Sequence, residues 1–342
     1  MTVASPLRLR LDHTALTDNW RALDRLAGTA ACGAAVKADG YGLGAVEVAT
    51  RIAEAGCRDF FVATWAEAEA LAQLGLPVSV LHGVRAEDMA MATGGIARPV
   101  LNTDAQVARW RSAGGGACDV MVDTGMNRLG VSPAAVADGL LTGLAIETLM
   151  SHLACADEDS AMNQRQRTAF AALAGATGAR RLSLANSAGI ALGADYAFDL
   201  VRPGLALYGG IARAELADVI RQVVTPEAQI LQRRSVAAGE TVGYNATWTA
   251  TAPTEVAILN IGYADGYLRG FSDRGTAEGG TLAVLGRVSM DLVAVDVTSR
   301  EDLREGEWVA LDYALPTAAT LSGLSQYELL TGLGSRYARV WR

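Results

Sequence analysis

The sequence predicts an α/β protein of two domains, an N-terminal closed (β/α)8 barrel over residues 1–219 and a mainly β-strand domain over residues 220–342. Up to residue ~210, short apolar runs alternate with Ala-rich amphipathic stretches, which is typical of repeated βα units. Beyond about Ile220 the helical periodicity fades, and alternating or β-branched runs separated by glycine replace it. The length of 342 residues suits two domains, since a barrel alone uses ~200–250 residues.

Eight short apolar runs in the N-terminal part are predicted strands of the barrel. They are Gly33–Lys37, Asp59–Ala63, Val78–His82, Pro99–Asn102, Cys118–Asp123, Ala145–Ser151, Arg181–Ala185 and Asp199–Val201. Helices are predicted between them at Val46–Ala55, Trp65–Leu74, Asp104–Ser112 and Met162–Ala174. Parallel strands with helical crossovers indicate a closed barrel. A doubly wound open sheet is the alternative, but no G-x-G-x-x-G follows an early strand.

In the C-terminal part, strands are predicted at Glu255–Ile261, Thr281–Val284 and Leu292–Val297. These runs alternate or are rich in β-branched residues, and glycines interrupt the chain between them. No low-complexity linker separates this part from the barrel, so we expect two closely packed domains.

The composition excludes several classes of function. A net charge of −8 argues against nucleic acid or an anionic membrane as partner, because either requires a basic face. No apolar run reaches ~18 residues, and the N-terminus lacks the apolar core of a secretory signal. The four cysteines lack C-x-x-C spacing, which favours reduced thiols over disulfides or a metal site. We therefore expect a cytoplasmic protein without a bound metal.

Lys37 is the first candidate for chemistry, because it ends the first predicted strand and a Gly-rich turn follows it. The carboxyl ends of barrel strands form the active-site face. An amine at an apolar strand end loses hydration, which lowers its pKa and favours the neutral form that makes a Schiff base. The position alone does not exclude the other interpretation, that Lys37 is an ordinary surface lysine at the terminus of a strand.

The segment Ala35–Gly44 resembles the lysine signature of the alanine racemases, which are fold-type-III enzymes dependent on pyridoxal 5'-phosphate (PLP). Seven further segments resemble motifs of the same family and occur in order along the chain. They are Val122–Gly130, Ser151–Asp157, Ala185–Gly189, Val201–Gly209, Val242–Trp248, Ile261–Tyr267 and Gly286–Asp291. The resemblance implies a TIM barrel followed by a β domain and interconversion of L-alanine and D-alanine, which supplies peptidoglycan precursors.

The resemblance also implies catalytic roles. Lys37 would hold PLP and exchange the proton on the D-face of the substrate carbon, while Tyr244 would serve the L-face. A phenol is a poor base at its free pKa of ~10, so it needs a supporting neighbour, for which His152 is the candidate. Arg202 would lie against the pyridine nitrogen, where a guanidinium can only donate. Without the cofactor, a lone histidine at a strand end such as His152 is more often structural, and a salt-bridged barrel arginine would be the default interpretation of Arg202.

The remaining roles likewise follow from the resemblance. Tyr41 and Ser187, with the backbone at Gly204 and Leu205, would hold the cofactor phosphate. The loops after strands 7 and 8 are the usual phosphate site of such barrels, although Ser187 after an Asn is also typical of a helix N-cap.

Arg128 and the backbone amide of Met290 would bind the substrate carboxylate, and Tyr263 would narrow the entrance beside Tyr244. Because Tyr244, Tyr263 and Met290 belong to the second domain, the resemblance implies a homodimer in which each subunit completes the other's site.

Two departures from the family pattern affect these expectations. Met121 stands where many members carry a carbamylated lysine that positions the substrate arginine, so Arg128 must be held otherwise, by Asn127, by an ion or by a carboxylate elsewhere. The C-terminal segment from Gly334 lacks the common Arg-x-Pro-Arg, which leaves open whether Ser335 or Tyr337 contacts the phosphate.

Three alternatives stay open. A PLP decarboxylase of the same fold type is disfavoured by Tyr244 and by the lack of a corresponding cysteine motif. A non-catalytic PLP-binding homeostasis protein is disfavoured by the segment Ile220–Arg342, which that class lacks. A serine or broad-specificity racemase is not distinguished by the sequence.

Overall fold

The computed structural model describes residues 4–342, in which strands and helices alternate up to about residue 200 and strands dominate afterwards. The strands are β1 (Leu7–Leu11), β2 (Ala31–Cys32), β3 (Ala34–Ala35), β4 (Phe60–Val62), β5 (Val78–Val80), β6 (Arg98–Leu101), β7 (Cys118–Met121), β8 (Ile146–Met150), β9 (Arg181–Ser183), β10 (Leu200–Val201), β11 (Val224–Val236), β12 (Thr241–Val242), β13 (Trp248–Thr249), β14 (Thr254–Leu259), β15 (Thr276–Ala277), β16 (Leu282–Leu285), β17 (Val293–Asp296), β18 (Trp308–Ala310) and β19 (Ala338–Trp341).

The helices are α1 (His13–Ala27), α2 (Lys37–Tyr41), α3 (Ala45–Ala55), α4 (Trp65–Leu71), α5 (Met89–Thr93), α6 (Asp104–Ser112), α7 (Pro133–Ala137), α8 (Ala161–Ala171), α9 (Ser187–Ala191), α10 (Leu315–Ser322) and α11 (Gln326–Thr331). Short 3-10 turns lie at Ala72–Leu74, Ala194–Tyr196, Leu205–Tyr208, Ala214–Leu216, Tyr244–Ala246, Tyr263–Asp265 and Arg269–Phe271.

Residues 16–221 form a unit built on a parallel barrel. Strands β3 to β9 pair in sequence order, and β2, which Gly33 separates from β3, pairs with β10. Backbone hydrogen bonds join β10 to β9, since the Asp199 amide donates to the Leu182 carbonyl (3.0 Å) and the Arg202 amide to the Ala185 carbonyl (2.9 Å). This closes the ring and confirms the predicted (β/α)8 fold.

The observed barrel strands lie at the predicted positions, and most are shorter by one or two residues at their ends. The largest difference concerns the first strand, where Lys37 does not continue the ladder but begins α2. Of the predicted helices, α6 matches its expected bounds, while α4 ends at Leu71 and continues as the 3-10 turn Ala72–Leu74. A capping box fixes the start of α4, because the Thr64 and Glu67 side chains each accept from the other's backbone amide.

The barrel interior contains charged pairs near the amino ends of its strands. Arg181 forms a bidentate ion pair with Asp59, with N–O distances of 2.7 and 2.9 Å. Asp119 is fully buried, accepts from the Ser79 hydroxyl at 2.6 Å and lies 3.4 Å from Arg98. Burial raises the pKa of Asp119. These charges lie at the end opposite to the usual active-site face, which indicates a structural role.

Residues 4–15 and 222–342 form the second unit. Its main sheet has the order β15-β16-β17-β14-β11-β1-β19, and β18 also pairs with β11. Strand β11 can pair with several neighbours because it is 13 residues long and its register shifts between Ile230 and Gln232. The three strands predicted here correspond to β14, β16 and β17.

The structure assigns residues 4–15 to the second unit, which differs from the expected division at 219/220. Strand β1 pairs antiparallel with β11 and parallel with β19. Sequence patterns did not indicate that β1 belongs to the second unit, because its pairing joins segments that are more than 200 residues apart in the chain. Residues 1–3 lie outside the described residues. In the described part of the chain, no helix is both long and apolar enough to cross a membrane.

Gly33 is a position where the barrel has no room for a side chain. A Cβ there would lie 2.9 Å from the Asp59 carbonyl oxygen and 2.9 Å from a Phe61 ring carbon. We expect Gly33→Ala to lower the free energy of unfolding by roughly 1–3 kcal/mol, because the backbone of β4 must shift. Urea unfolding measures the change. Gly116→Ala is the matched control, since a Cβ there meets nothing within 4 Å; equal midpoints for the two variants would contradict the prediction.

Candidate active site

Lys37 follows the first barrel strand at its carboxyl end and is half-buried. Burial lowers the pKa of its amine, the positive charge of Arg128 lowers it further, and Glu67 opposes the shift. A lowered pKa leaves more of the amine neutral, which is the form that attacks a carbonyl carbon. Lys37 therefore has both the position and the electrostatics predicted for a Schiff-base lysine.

The backbone after Lys37 is unusual, because α2 is a left-handed turn rather than an ordinary helix. The φ angles are 52° at Ala38, 52° at Asp39, 61° at Gly40 and 56° at Tyr41. For L-residues other than glycine this region costs about 1–2 kcal/mol per residue, and successive residues rarely adopt it. Contacts from the surroundings must therefore hold the turn in place.

Glu67, which the sequence analysis did not single out, provides such contacts. Its Oε1 accepts from the Ala38 amide at 2.8 Å, while Oε2 accepts from the Ala63 amide at 2.6 Å and the Thr64 amide at 3.1 Å. One carboxylate thus joins the turn of Lys37 to the end of β4. The Thr-x-x-Glu spacing before an apolar run was the available signal, since it marks a capping box.

Arg202 lies buried inside the barrel, directly after β10. Its Nη1 donates to the Ser183 hydroxyl and its Nη2 to the Ser151 carbonyl, the latter at 2.6 Å. Burial lowers the pKa of the guanidinium to about 10, so it remains charged at neutral pH. The barrel strands therefore hold Arg202 by a hydroxyl and a carbonyl, neither of which carries a charge.

His152 follows β8 and is half-buried in a positively charged environment. Burial, followed by the charges of Arg202, Arg128 and Lys37, lowers its pKa from the ordinary 6.5 to about 3. The ring is therefore neutral at physiological pH. The structure thus brings four predicted site residues into one electrostatic cluster in the barrel unit.

The four predicted phosphate ligands also lie together. The Ser187 hydroxyl accepts from the amides of Gly204 (2.9 Å) and Ala206 (3.2 Å). Asn186, rather than Ser187, is the N-cap of α9, since its Oδ1 accepts from the Gly189 amide at 2.9 Å. Leu205 begins a buried 3-10 turn directly after Gly204.

Tyr41 is buried against this group, and a Cβ on Gly204 would lie 2.2 Å from its hydroxyl oxygen. The ring stacks on Tyr208 with centroids 4.5 Å apart, and the Tyr208 hydroxyl donates to the Ala35 carbonyl at 2.8 Å. Tyr208 was missed in the sequence analysis, although it lies within the motif that contains Gly204.

Arg128 lies in the exposed loop after β7. The loop folds around Asp123, whose Oδ1 accepts from the amides of Gly125 (2.8 Å) and Asn127 (3.1 Å). Met121 is buried as the last residue of β7 and offers no polar group. Asn127 thus contributes to the loop through its backbone.

The predicted site residues of the second unit lie close to one another. Tyr244, Tyr263 and Met290 line one cavity of about 260 Å³, together with Arg269 and Arg287. Tyr244 is 67% exposed and Met290 54%, so neither is a core residue. The Arg269 guanidinium lies 5.1 Å from the Tyr263 ring centroid.

At the C-terminus, Ser335 is exposed, whereas the buried Tyr337 donates its hydroxyl to the Asp265 carbonyl at 2.9 Å. Tyr337 is therefore engaged within the second unit. Among residues 4–342 no group of three or more His, Cys, Asp and Glu side chains is placed to hold a metal ion.

A barrel with a desolvated lysine after its first strand, followed by a strand-rich unit that presents two tyrosines, defines a class of lysine-dependent barrel enzymes. The family model described as the alanine racemase N-terminal domain matches residues 11–212, and the model for its C-terminal domain matches residues 223–341. The chain therefore belongs to the alanine racemase family.

Curated relatives match this chain over nearly its full length. The alanine racemase of Acidiphilium cryptum is 43% identical over 350 residues, which cover 97% of this chain and 98% of that protein. The alanine racemase of Methylobacterium nodulans is 43% identical over 97% of this chain and 95% of its own. A solved structure of alanine racemase from Bartonella henselae, with covalently bound pyridoxal phosphate, has a TM-score of 0.89 and 33% identity, covering 99% of this chain and 100% of that chain.

The neutral His152 gives a measurable pH response. Between pH 6.5 and about 3 the unfolded ring binds a proton and the folded ring does not, so this residue makes stability fall as the pH falls through that window. We expect its ring resonances in NMR spectra of the folded protein to stay constant down to about pH 3. His152→Gln assigns the signal, and the urea-unfolded protein is the control, where the ring should titrate near ~6.5. Titration near that value in the folded protein would exclude a neutral His152.

Proposed function

We propose that this protein interconverts L-alanine and D-alanine with PLP held on Lys37, and so supplies D-alanine for peptidoglycan. The observation that carries the proposal is the placement of Lys37, at the end of the first barrel strand with a lowered pKa and a cluster of positive charge around it. The family membership and the relative described with covalently bound pyridoxal phosphate support the same assignment.

The residues present fit this cofactor. The buried Leu205 amide has no hydrogen-bond partner among residues 4–342, which leaves a donor free for a phosphate oxygen. The Tyr41 hydroxyl reaches the same place because Gly204 lacks a side chain. Arg202 would face the ring nitrogen and, as a donor only, keep that nitrogen unprotonated. Bound PLP supplies an electron sink that acidifies the α-hydrogen of an amino acid.

Racemisation needs a proton removed from one face of a carbon and another added to the opposite face, so two groups must flank it. We assign the D-face to Lys37 and the L-face to Tyr244. Burial and then the charge of Arg128 lower the pKa of the Lys37 amine, which favours the neutral form that can take a proton. The neutral ring of His152 can accept a hydrogen bond or donate one, which suits a residue that supports a phenol in proton exchange.

Substrate selection would rest on Arg128, Met290 and Tyr263. A guanidinium binds a small carboxylate through two parallel hydrogen bonds. The backbone of Met290 would add an amide, and Tyr263 would limit the pocket to a methyl side chain. A racemisation assay across alanine, serine, arginine and lysine separates an alanine racemase from a serine or broad-specificity racemase.

The proposal includes a homodimer with shared sites and a cytoplasmic location. The 67% exposed Tyr244 and the cavity beside it present catalytic groups outward, as a residue that serves a partner subunit must. All four cysteines are free, and burial raises the pKa of Cys57 and Cys118 to about 12. Unpaired thiols are typical of a reducing compartment.

Two substitutions test the assignment of the two bases. Lys37→Ala should abolish racemisation and the visible absorbance of the bound cofactor, because the amine that holds PLP is gone. Tyr244→Phe should retain the absorbance but slow inversion by at least about a hundredfold, because one face loses its proton donor. Deuterium exchange at the α-carbon and optical rotation measure both. Unchanged inversion by Tyr244→Phe in both directions would disprove the two-base assignment.

Mixing the two inactive variants tests the shared site. In a hybrid dimer of Lys37→Ala and Tyr244→Phe subunits, one shared site carries both defects and the other carries none. After unfolding and refolding of an equal mixture, we expect about a quarter of the wild-type activity, since half of the dimers are hybrids with one intact site. The refolded single variants are the controls. If the mixture stays inactive while size-exclusion chromatography shows dimers, each site lies within one chain.

A further inference from the structure

The side chain of Arg128 depends on its loop for its position. Among the described residues, 4–342, its guanidinium makes no hydrogen bond or ion pair, and the residue is exposed. Met121 cannot hold it, because this buried side chain is apolar. Whatever fixes the backbone of residues 123–130 therefore fixes Arg128.

The base of this loop is closed tightly. The Val131 amide donates to the Met121 carbonyl at 2.9 Å, and the Asp123 amide donates to the Val131 carbonyl at 3.0 Å. A Cβ on Gly130 would lie 2.5 Å from the Asp123 nitrogen, so only glycine allows this closure. These contacts shape the loop but do not attach it to the neighbouring strand β8 or helix α8.

Thr124 makes that attachment. Its hydroxyl is 2.8 Å from the hydroxyl of Ser151, the residue that follows β8, and it accepts from Gln166 Nε2 at 3.3 Å. Ser151 is buried, and its carbonyl also accepts from Arg202 Nη2 at 2.6 Å. Ser151 therefore contacts both the loop of Arg128, through Thr124, and the guanidinium of Arg202.

Gln166 secures the arrangement from α8. It is fully buried, and both the nitrogen and the oxygen of its side-chain amide form hydrogen bonds. Nε2 donates to the His152 carbonyl at 2.8 Å, and Oε1 accepts from the Ala154 amide at 2.8 Å. The backbone on both sides of Leu153 is thus fixed by the same side chain that donates to Thr124.

We propose that Thr124 and Gln166 are positioning residues that hold Arg128 for the substrate carboxylate. The inference rests on the proposed function. It differs from a purely structural role, because it requires that loss of the Thr124 hydroxyl weakens carboxylate binding more than it weakens turnover or folding.

The test compares Thr124→Val, which removes the hydroxyl at nearly constant shape, with Thr124→Ser, which keeps it. Gln166→Met and its matched control Gln164→Met sample the buried and the exposed glutamine of the same helix. All are measured as holoenzymes for KM and kcat in both directions. The dissociation constant of propionate, which is alanine without its amino group, is measured by calorimetry.

We expect Thr124→Val to raise KM roughly three- to tenfold, with kcat changed less than about twofold, because both hydrogen bonds by which the Thr124 hydroxyl holds the loop of Arg128 are lost. The propionate dissociation constant should rise by the same factor. Thr124→Ser and Gln164→Met should resemble the wild type. Unchanged KM and propionate affinity in Thr124→Val, or equal losses in Gln164→Met and Gln166→Met, would overturn the proposal.

Hydrogen exchange separates this inference from the proposed function. Amides of residues 123–130 should exchange faster in Thr124→Val than in the wild type and return to the wild-type rate in Thr124→Ser. If the wild type fails to racemise alanine, the proposed function is wrong, and the exchange rates still decide whether Thr124 holds the loop. Equal exchange in all variants shows that it does not.

Discussion

The site depends on a positive charge that the barrel keeps inside without a carboxylate beside it. Arg202 is buried, yet its guanidinium is held by the Ser183 hydroxyl and the Ser151 carbonyl. An unpaired buried charge is costly, and here it adds to the charges of Arg128 and Lys37 in opposing protonation of His152. A site with this excess of positive charge is suited to an anion. A phosphorylated cofactor and a substrate carboxylate would both relieve it.

Burial together with the surrounding positive charge weakens the two nearby side chains as bases: burial and Arg128 act on Lys37, and burial, Arg202, Arg128 and Lys37 act on His152. His152 stays unprotonated, and the Lys37 amine has a lowered pKa. The charge of Asp119, buried within the barrel, acts on Arg202 in the opposite direction and favours its protonated form. At the amino ends of the barrel strands, charges are paired, as in Asp59 with Arg181. At the carboxyl ends, the positive groups have no such carboxylate partner within residues 4–342 and are suited to bind a negatively charged ligand.

The sequence predicted the barrel well, because parallel strands buried on both sides appear as short apolar runs between helical patterns. It missed β1, whose partners β11 and β19 lie near the other end of the chain, and it missed α10 and α11 within an otherwise strand-rich region. The eleven predicted site residues came from the motifs that resemble the family, and the structure groups them within their two units. The supporting residues Glu67, Ser183 and Gln166 were not predicted, since their importance arises from contacts between distant segments.

The pairing of β1 has a consequence for the order in which the chain can fold during synthesis. The barrel is contiguous in sequence, so its ring can close as soon as β10 has left the ribosome. Strand β1 is made first, but its partner β11 begins only at Val224 and its other partner β19 at Ala338. One edge of this strand therefore stays unpaired until β11 has been made, and the other stays unpaired until almost the whole chain exists. The nascent protein thus carries an open strand edge, which is the kind of segment that chaperones shield.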